Sequence, residues 1–156
     1  MQRIVVGVDG SQGSQRALDW AAEEAALRGV GLEVVTTYES EPEWAGLPAD
    51  AGMTSKQIEA VRDSVATATR RAAEHAKGVA EKMIGRLPGT THAEAVVIAS
   101  QRPAEALVER SRDAEMLVVG SRGLGGFKTL MLGSVSQQCA THAHCPVVII
   151  RPPDAG

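Results

Sequence analysis

Apolar runs and helical periods alternate along the whole chain. Arg3–Asp9 (RIVVGVD) is short, β-branched and stops at Gly10, which predicts a first strand. Ser14–Arg28 is Ala-rich with a helical period, and Glu24 and Arg28 form an i,i+4 pair. Ser11 or Ser14 can cap this helix, and Gly29 and Gly31 end it. Leu32–Tyr38 (LEVVTTY) reads as the second strand. Glu39–Thr54 carries Pro42, Gly46, Pro48 and Gly52 and reads as a long loop. From about Ser55 to Ile84, the residues Ile58, Val61, Val65, Ala68, Ala72, Ala76, Val79 and Met83 recur every three or four positions and form one apolar stripe. A coiled coil competes with this reading, but strands on both sides favour a helix packed on a sheet. His92–Ala99 is the third strand. Pro103 to about Arg112 is a short helix with Pro where a helix start tolerates it. Met116–Gly120 is the fourth strand, Ser121–Leu132 a glycine-rich loop, and Gly133 to about His142 the last helix. Pro146–Arg151 is the fifth strand, stopped by Pro152 and Pro153.

Strands that are apolar on both faces and alternate with helices predict a parallel sheet covered on both sides. With right-handed crossovers the fold class is α/β: a doubly wound, Rossmann-like sheet of five strands with helices on both faces. The 156 residues suit one domain, spanning 1–153 with a tail at 154–156. In such sheets a ligand binds beyond the carboxyl ends of the strands, where the winding direction switches. That rule brings Asp9 near the loop after the fourth strand.

Aromatic residues make up only 3% of the chain, as Trp20, Tyr38, Trp44 and Phe127, so the core rests on Val, Ile, Leu and Ala. Modules that stack bases on interleaved aromatics are disfavoured. The net charge of −3 likewise argues against nucleic-acid binding. It hides an asymmetry: Met116–Pro153 contains no Asp or Glu, while Arg122, Lys128 and Arg151 give that segment +3. An anion can be held there. Cys139 and Cys145 form neither a Cys-x-x-Cys pair nor a zinc spacing, so a reduced intracellular chain is the simplest expectation. No signal peptide precedes the first strand and no apolar run reaches the ~20 residues of a membrane span, so a cytoplasmic protein is expected.

The stretch with most chemistry in it is Gly120–Ser136, GSRGLGGFKTLMLGSVS. Gly123, Gly125 and Gly126 permit positive φ and carry no Cβ, so several N–H groups can turn to one point. Gly133 and Ser134 then open a helix, whose first N–H groups and dipole favour an anion. Ser134 can add a hydroxyl, and Ser136 follows in the first turn. A P-loop is excluded because Phe127 precedes Lys128-Thr129, and a dinucleotide fingerprint belongs after the first strand, where the sequence is VDGSQGS.

Gly120-x-x-Gly123, nine residues, then Gly133-Ser134 resembles the Gly-2x-Gly-9x-Gly-Ser/Thr signature of ATP-binding universal stress proteins. The likeness extends over nearly the whole chain, through IVVGVDGS, LVVGSRG, GSVS and the closing CPVVIIR. It implies ATP, with Mg²⁺ bound through the phosphates, at a site of Val8, Asp9, Thr37, Gly120, Ser121, Arg122, Gly123, Gly133, Ser134, Val135 and Ser136. Asp9 matches the ribose-binding aspartate, Thr37 a backbone contact to adenine, and the glycine segment the phosphate contacts. Glu115 stands where the family often has Asp, and Thr36 where it often has His. The likeness also implies a homodimer through the last strand, Val147, Val148, Ile149 and Ile150. Function is expected to follow from occupancy: ATP stabilises one state of the loop or dimer, which a protein partner senses.

Plainer readings stand beside these. The glycine loop can be a surface connection, Asp9 a turn residue, and Arg122 or Lys128 a solvated charge. His142, His144 and Cys145 suggest a metal, but two histidines two apart do not share a helix face, and His is favourable at a helix C-terminus in any case. Cys139 and Trp20 read as packing residues. No Gly-x-Ser-x-Gly elbow, HExxH or His-x-Gly-His occurs, so no catalytic residue is assigned and any enzymatic activity is at most a slow ATPase. A scaffold that binds no nucleotide is the remaining alternative, and the intact glycine spacing disfavours it.

Overall fold

The computed structural model describes residues 2–39, 52–89, 92–124 and 132–153. Its elements are β1 (Arg3–Gly7), α1 (Gln12–Arg28), β2 (Gly31–Tyr38), α2 (Ser55–Ile84), β3 (Ala93–Ala99), α3 (Pro103–Arg110), a 3₁₀ turn (Ser111–Asp113), β4 (Met116–Gly120), α4 (Ser134–His142) and β5 (Val147–Ile150). All five strands are parallel, in the order β3-β2-β1-β4-β5. The winding direction switches between β1 and β4, as the alternation of strands and helices predicts.

Side-chain alternation along each strand divides the core in two. Ile4, Val6 and Val8 join Leu32, Val34, Met116 and Val118 under α1 (Ala17, Leu18, Ala21, Ala22, Ala25) and the end of α2 (Ala80, Met83). Val5, Val35, Leu117 and Val119 pack on the other face against Leu107 of α3 and Cys139 of α4. Alanine dominates α1 because that helix lies directly on the strands, where a larger side chain would hold it off. The stripe on α2 is buried only at Ala76, Ala80 and Met83; Ile58, Val61 and Val65 are half-buried. A 30-residue helix outruns the seven-residue strand it feeds.

Several boundaries differ from the sequence reading for hydrogen-bond reasons. The first helix starts at Gln12, because Ser11 is its N-cap and its hydroxyl accepts the Ser14 N–H. Gly29 ends the helix at φ 66°, as expected, but Gly31 instead opens β2, where its N–H reaches the Gln2 carbonyl. The regular strand β1 stops at Gly7, yet Val8 still donates its N–H to Val35 O at 2.8 Å. Thr54 caps α2 with a full capping box, exchanging bonds with Gln57. The third helix ends at Arg110 and tightens into the 3₁₀ turn. Most of the predicted 39–54 loop, including Trp44, and residues 125–131, including Gly125, Gly126, Phe127 and Lys128, lie outside the described residues.

Candidate functional site

The carboxyl ends of β1 and β4 adjoin at the switch point, and three chain segments meet there. The first is the turn after β1. Asp9 Oδ1 accepts the Ser11 N–H at 3.0 Å, the Ser14 hydroxyl lies 3.3 Å from the Asp9 N–H, and Gly10 turns at φ 84° against Val79. The second is Gly120–Leu124, whose last N–H reaches Asp9 Oδ2 at 3.1 Å. Partial burial pushes the Asp9 pKa up, but the bonds from Ser11, Ser14 and Leu124 outweigh it and hold the carboxyl below 3.8.

The third segment is the start of α4. Ser121, itself buried, ties it down: its carbonyl accepts the Gly133 N–H at 2.7 Å and the Ser136 hydroxyl at 3.0 Å, while its N–H bonds Ile150 O of β5 at 2.8 Å. Gly133 is the N-cap of α4 and carries no side chain to cap it. Among the described residues no acceptor meets the N–H groups of Ser134, Val135 and Ser136. The starts of α1 and α2 are capped by Ser11 and Thr54. Among the described residues, the start of α4 thus offers N–H donors without acceptors, and a positive dipole end, beside the glycine loop. The exposed Ser134 hydroxyl lies at the same turn.

Of the residues singled out from the sequence, Val8, Asp9, Gly120, Ser121, Arg122, Gly123, Gly133, Ser134, Val135 and Ser136 all come together here. Thr37 stands at the same end of the sheet on β2, half-buried and paired with Ile98. Ser136 is buried, and its hydroxyl is engaged with the Ser121 and Gly133 carbonyls, so it shapes the turn from beneath. Gly123 was expected to supply positive φ; among the described glycines only Gly10, Gly29 and Gly52 do so. Its lack of a Cβ is what matters, since a Cβ there would lie 2.5 Å from Asp9 Oδ2.

Gly13, in the first turn of α1, was missed by sequence reasoning. A Cβ at Gly13 would lie 2.9 Å from the Arg122 carbonyl, and one at Gly120 would lie 3.0 Å from the backbone of Gly13. These two glycines let α1 rest against the loop, main chain on main chain. The Gly-x-x-Gly between Gly10 and Gly13 was the available signal.

The Universal stress protein family model matches residues 1–151. The chain belongs to the universal stress protein family. A universal stress protein of Mycobacterium tuberculosis is 36% identical over 153 residues, which are 97% of this chain and 48% of that protein. The chain thus spans about half the length of the curated relatives it matches first. A universal stress protein solved in complex with cAMP superposes with a TM-score of 0.55 at 27% identity, covering 96% of each chain. The hypothetical protein MJ0577 shares the fold with a TM-score of 0.76 at 17% identity, over 99% of this chain and 98% of that one. Two of the three segments that meet at the β1–β4 switch point of this universal stress protein carry the Gly120-x-x-Gly123 and Gly133-Ser134 spacing.

No helix among the described residues is long and apolar enough to cross a membrane. No group of three or more metal-ligating side chains occurs among them either.

Proposed function

We propose that this universal stress protein binds ATP at the β1–β4 switch point and signals by its occupancy. The observation that carries the reading is the start of α4, which has no side-chain cap and whose N–H groups at Ser134, Val135 and Ser136 meet no acceptor among the described residues, beside a glycine loop. A polyphosphate satisfies such donors without a bulky side chain in its way. Gly120, Ser121, Arg122 and Gly123 line the phosphates from the loop, and Gly133, Ser134, Val135 and Ser136 from the helix. Asp9 retains acceptor capacity for ribose hydroxyls beyond its two N–H bonds. Val8 and Thr37 flank the adenine, where the scarcity of aromatics leaves aliphatic walls and backbone groups to read the base. Mg²⁺ accompanying ATP would be held through the phosphate oxygens and would neutralise part of the phosphate charge. The cAMP complex of a relative 27% identical supports an adenine nucleotide as the ligand class.

The free edge of β5 supports a homodimer. Val147, Val148, Ile149 and Ile150 are half-buried and form an edge strand of the sheet, where a further strand can pair. The Ser121 N–H on Ile150 O links that edge directly to the glycine loop, so a change at either can reach the other. A protein partner then reads the dimer's state, provided that ATP binds two states with different free energies.

Isothermal titration with Mg-ATP tests the site. The wild type binds ATP, and Gly123→Val, which drives a branched side chain into Asp9, abolishes binding. Unchanged affinity in that variant refutes the placement. Bound ATP that stays intact for hours in the purified protein separates the regulatory reading from a slow ATPase. A monomer by light scattering at micromolar concentration refutes the β5 dimer.

A further inference from the structure

The Leu124 N–H reaches Asp9 Oδ2 across 115 residues of sequence, at 3.1 Å. We propose that Asp9 is a positioning residue for the phosphate cradle, fastening the glycine loop to the end of β1. Anion binding at the start of α4 then depends on Asp9 even when the anion carries no ribose. This inference rests on the nucleotide-site reading and adds to it a role that acts through the loop.

The two carboxylate oxygens divide the work. Oδ1 holds the local turn through Ser11, and Oδ2 takes the loop. The charge makes the loop bond stronger than one between neutral groups. The carboxyl is held ionised by the same donors, below its ordinary value.

The near end of the loop is fixed independently. Ser121 is bonded to Ile150 and Gly133, and Arg122 O abuts Gly13. Beyond Arg122, the Asp9–Leu124 bond is the long-range hydrogen bond that ties down the described part of the loop. Without it, Gly123 and Leu124 lose their registration against the end of β1, beside the start of α4.

Gly123 gives a second, geometric observation. The place a Cβ would occupy lies 2.5 Å from Oδ2 and 3.7 Å from Asp9 Cγ. Glycine at this position leaves the carboxylate its room, and a Cβ would push Oδ2 aside from the Leu124 N–H. A side chain there breaks the fastening while leaving Asp9 in place.

The experiment uses the full chain and two probes, inorganic tripolyphosphate and ATP. Asp9→Asn keeps the size of the side chain but turns an amide donor toward one of the two N–H groups. Tripolyphosphate binding should weaken on the order of tenfold in Asp9→Asn, the effect expected for a lost hydrogen bond to a charged group. Gly123→Ala should produce a comparable loss with Asp9 intact. In both variants, amide exchange at Leu124 should accelerate in the absence of any nucleotide. If tripolyphosphate binds both variants as it binds the wild type and Leu124 exchange is unchanged, Asp9 serves only the ribose and the inference is overturned. If the wild type binds neither ATP nor tripolyphosphate, the nucleotide reading and its anion consequence fall together. Leu124 exchange in Asp9→Asn still decides the fastening in that case.

Discussion

Gly13 and Gly78 both lie in helices, and the same substitution should move stability in opposite directions at the two sites. Glycine in a helix interior costs about 0.8–1 kcal/mol relative to alanine. At Gly78, exposed on α2, an added Cβ meets nothing within 4 Å. Gly78→Ala should gain that whole increment and raise Tm by about 2–4 °C for a domain of this size. At Gly13 the added Cβ would sit 2.9 Å from the Arg122 carbonyl, and that main chain is pinned next door by Ser121. It cannot swing aside as a side-chain tip would. Overpacking costs about 1–3 kcal/mol, and a residue in the first turn recovers only part of the propensity gain. The net loss is about 1–2 kcal/mol, a fall in Tm of about 2–8 °C. Gly120→Ala enters the same seam from the other side, 3.0 Å from Gly13 C and O. Once one alanine has parted the seam, the second costs less, so the double variant should lose less than the sum of the singles. Thermal and urea unfolding followed by circular dichroism measures the wild type and the four variants. A Gly13→Ala protein that melts at or above the wild type, or a strictly additive double variant, refutes the seam.

Glu33 is buried on β2, bidentate to Arg110, and lies 3.1 Å from Arg3 Nε. Glu33→Gln leaves the two guanidinium groups facing each other. The loss should be about 2 kcal/mol by urea unfolding, below the range for a fully buried pair, because the arginine side chains are 37% and 26% exposed. The lowered pKa of Asp9 makes its contribution to stability fully present above the unfolded value near 3.8 and lost as pH falls through the folded value. Acid titration should therefore show a steeper loss below that pH in the wild type than in Asp9→Asn; parallel curves would remove the Asp9 hydrogen bonds from the account. Burial pushes the Cys139 thiol up to about 11, and Cys145 is raised less and is only half-buried. Alkylation of the native protein near neutral pH should mark Cys145 first, with Cys139 reacting only on unfolding, as peptide mass spectrometry will show.

The architecture was legible because each strand of a doubly buried parallel sheet is a local apolar run, and each helix between strands has its own period and stop. Gly29 illustrates this: a helix end at φ 66° needs glycine for reasons contained in its own residue. What was not legible depends on where distant elements come to rest. The stripe on α2 gives the helix but not which half is buried, since that is set by where the sheet ends. A 30-residue helix is ~45 Å long, against ~23 Å for a seven-residue strand. Gly31 looked like a helix stop because nothing local records that its N–H will meet Gln2 O.

The site divides along the same line. The spacing from Gly120 to Gly133 was readable because a strand end, a loop and a helix start form one continuous segment. The reason for each glycine was not. Gly123 suggests a backbone that turns into the left-handed region, yet its φ is ordinary; it is small because Asp9, from the far end of the sequence, approaches it. Gly13 and Gly120 are small because each faces the other's main chain. A glycine chosen for conformation tolerates Asn but not Ala, whereas one chosen for contact tolerates no Cβ at all unless its neighbour moves. The glycines of this site that face Asp9 and α1 belong to the second kind. The signature is therefore a record of close approach among three chain segments as much as of loop flexibility. That is how Asp9, at the end of β1, comes to hold the Leu124 N–H of a loop more than a hundred residues away.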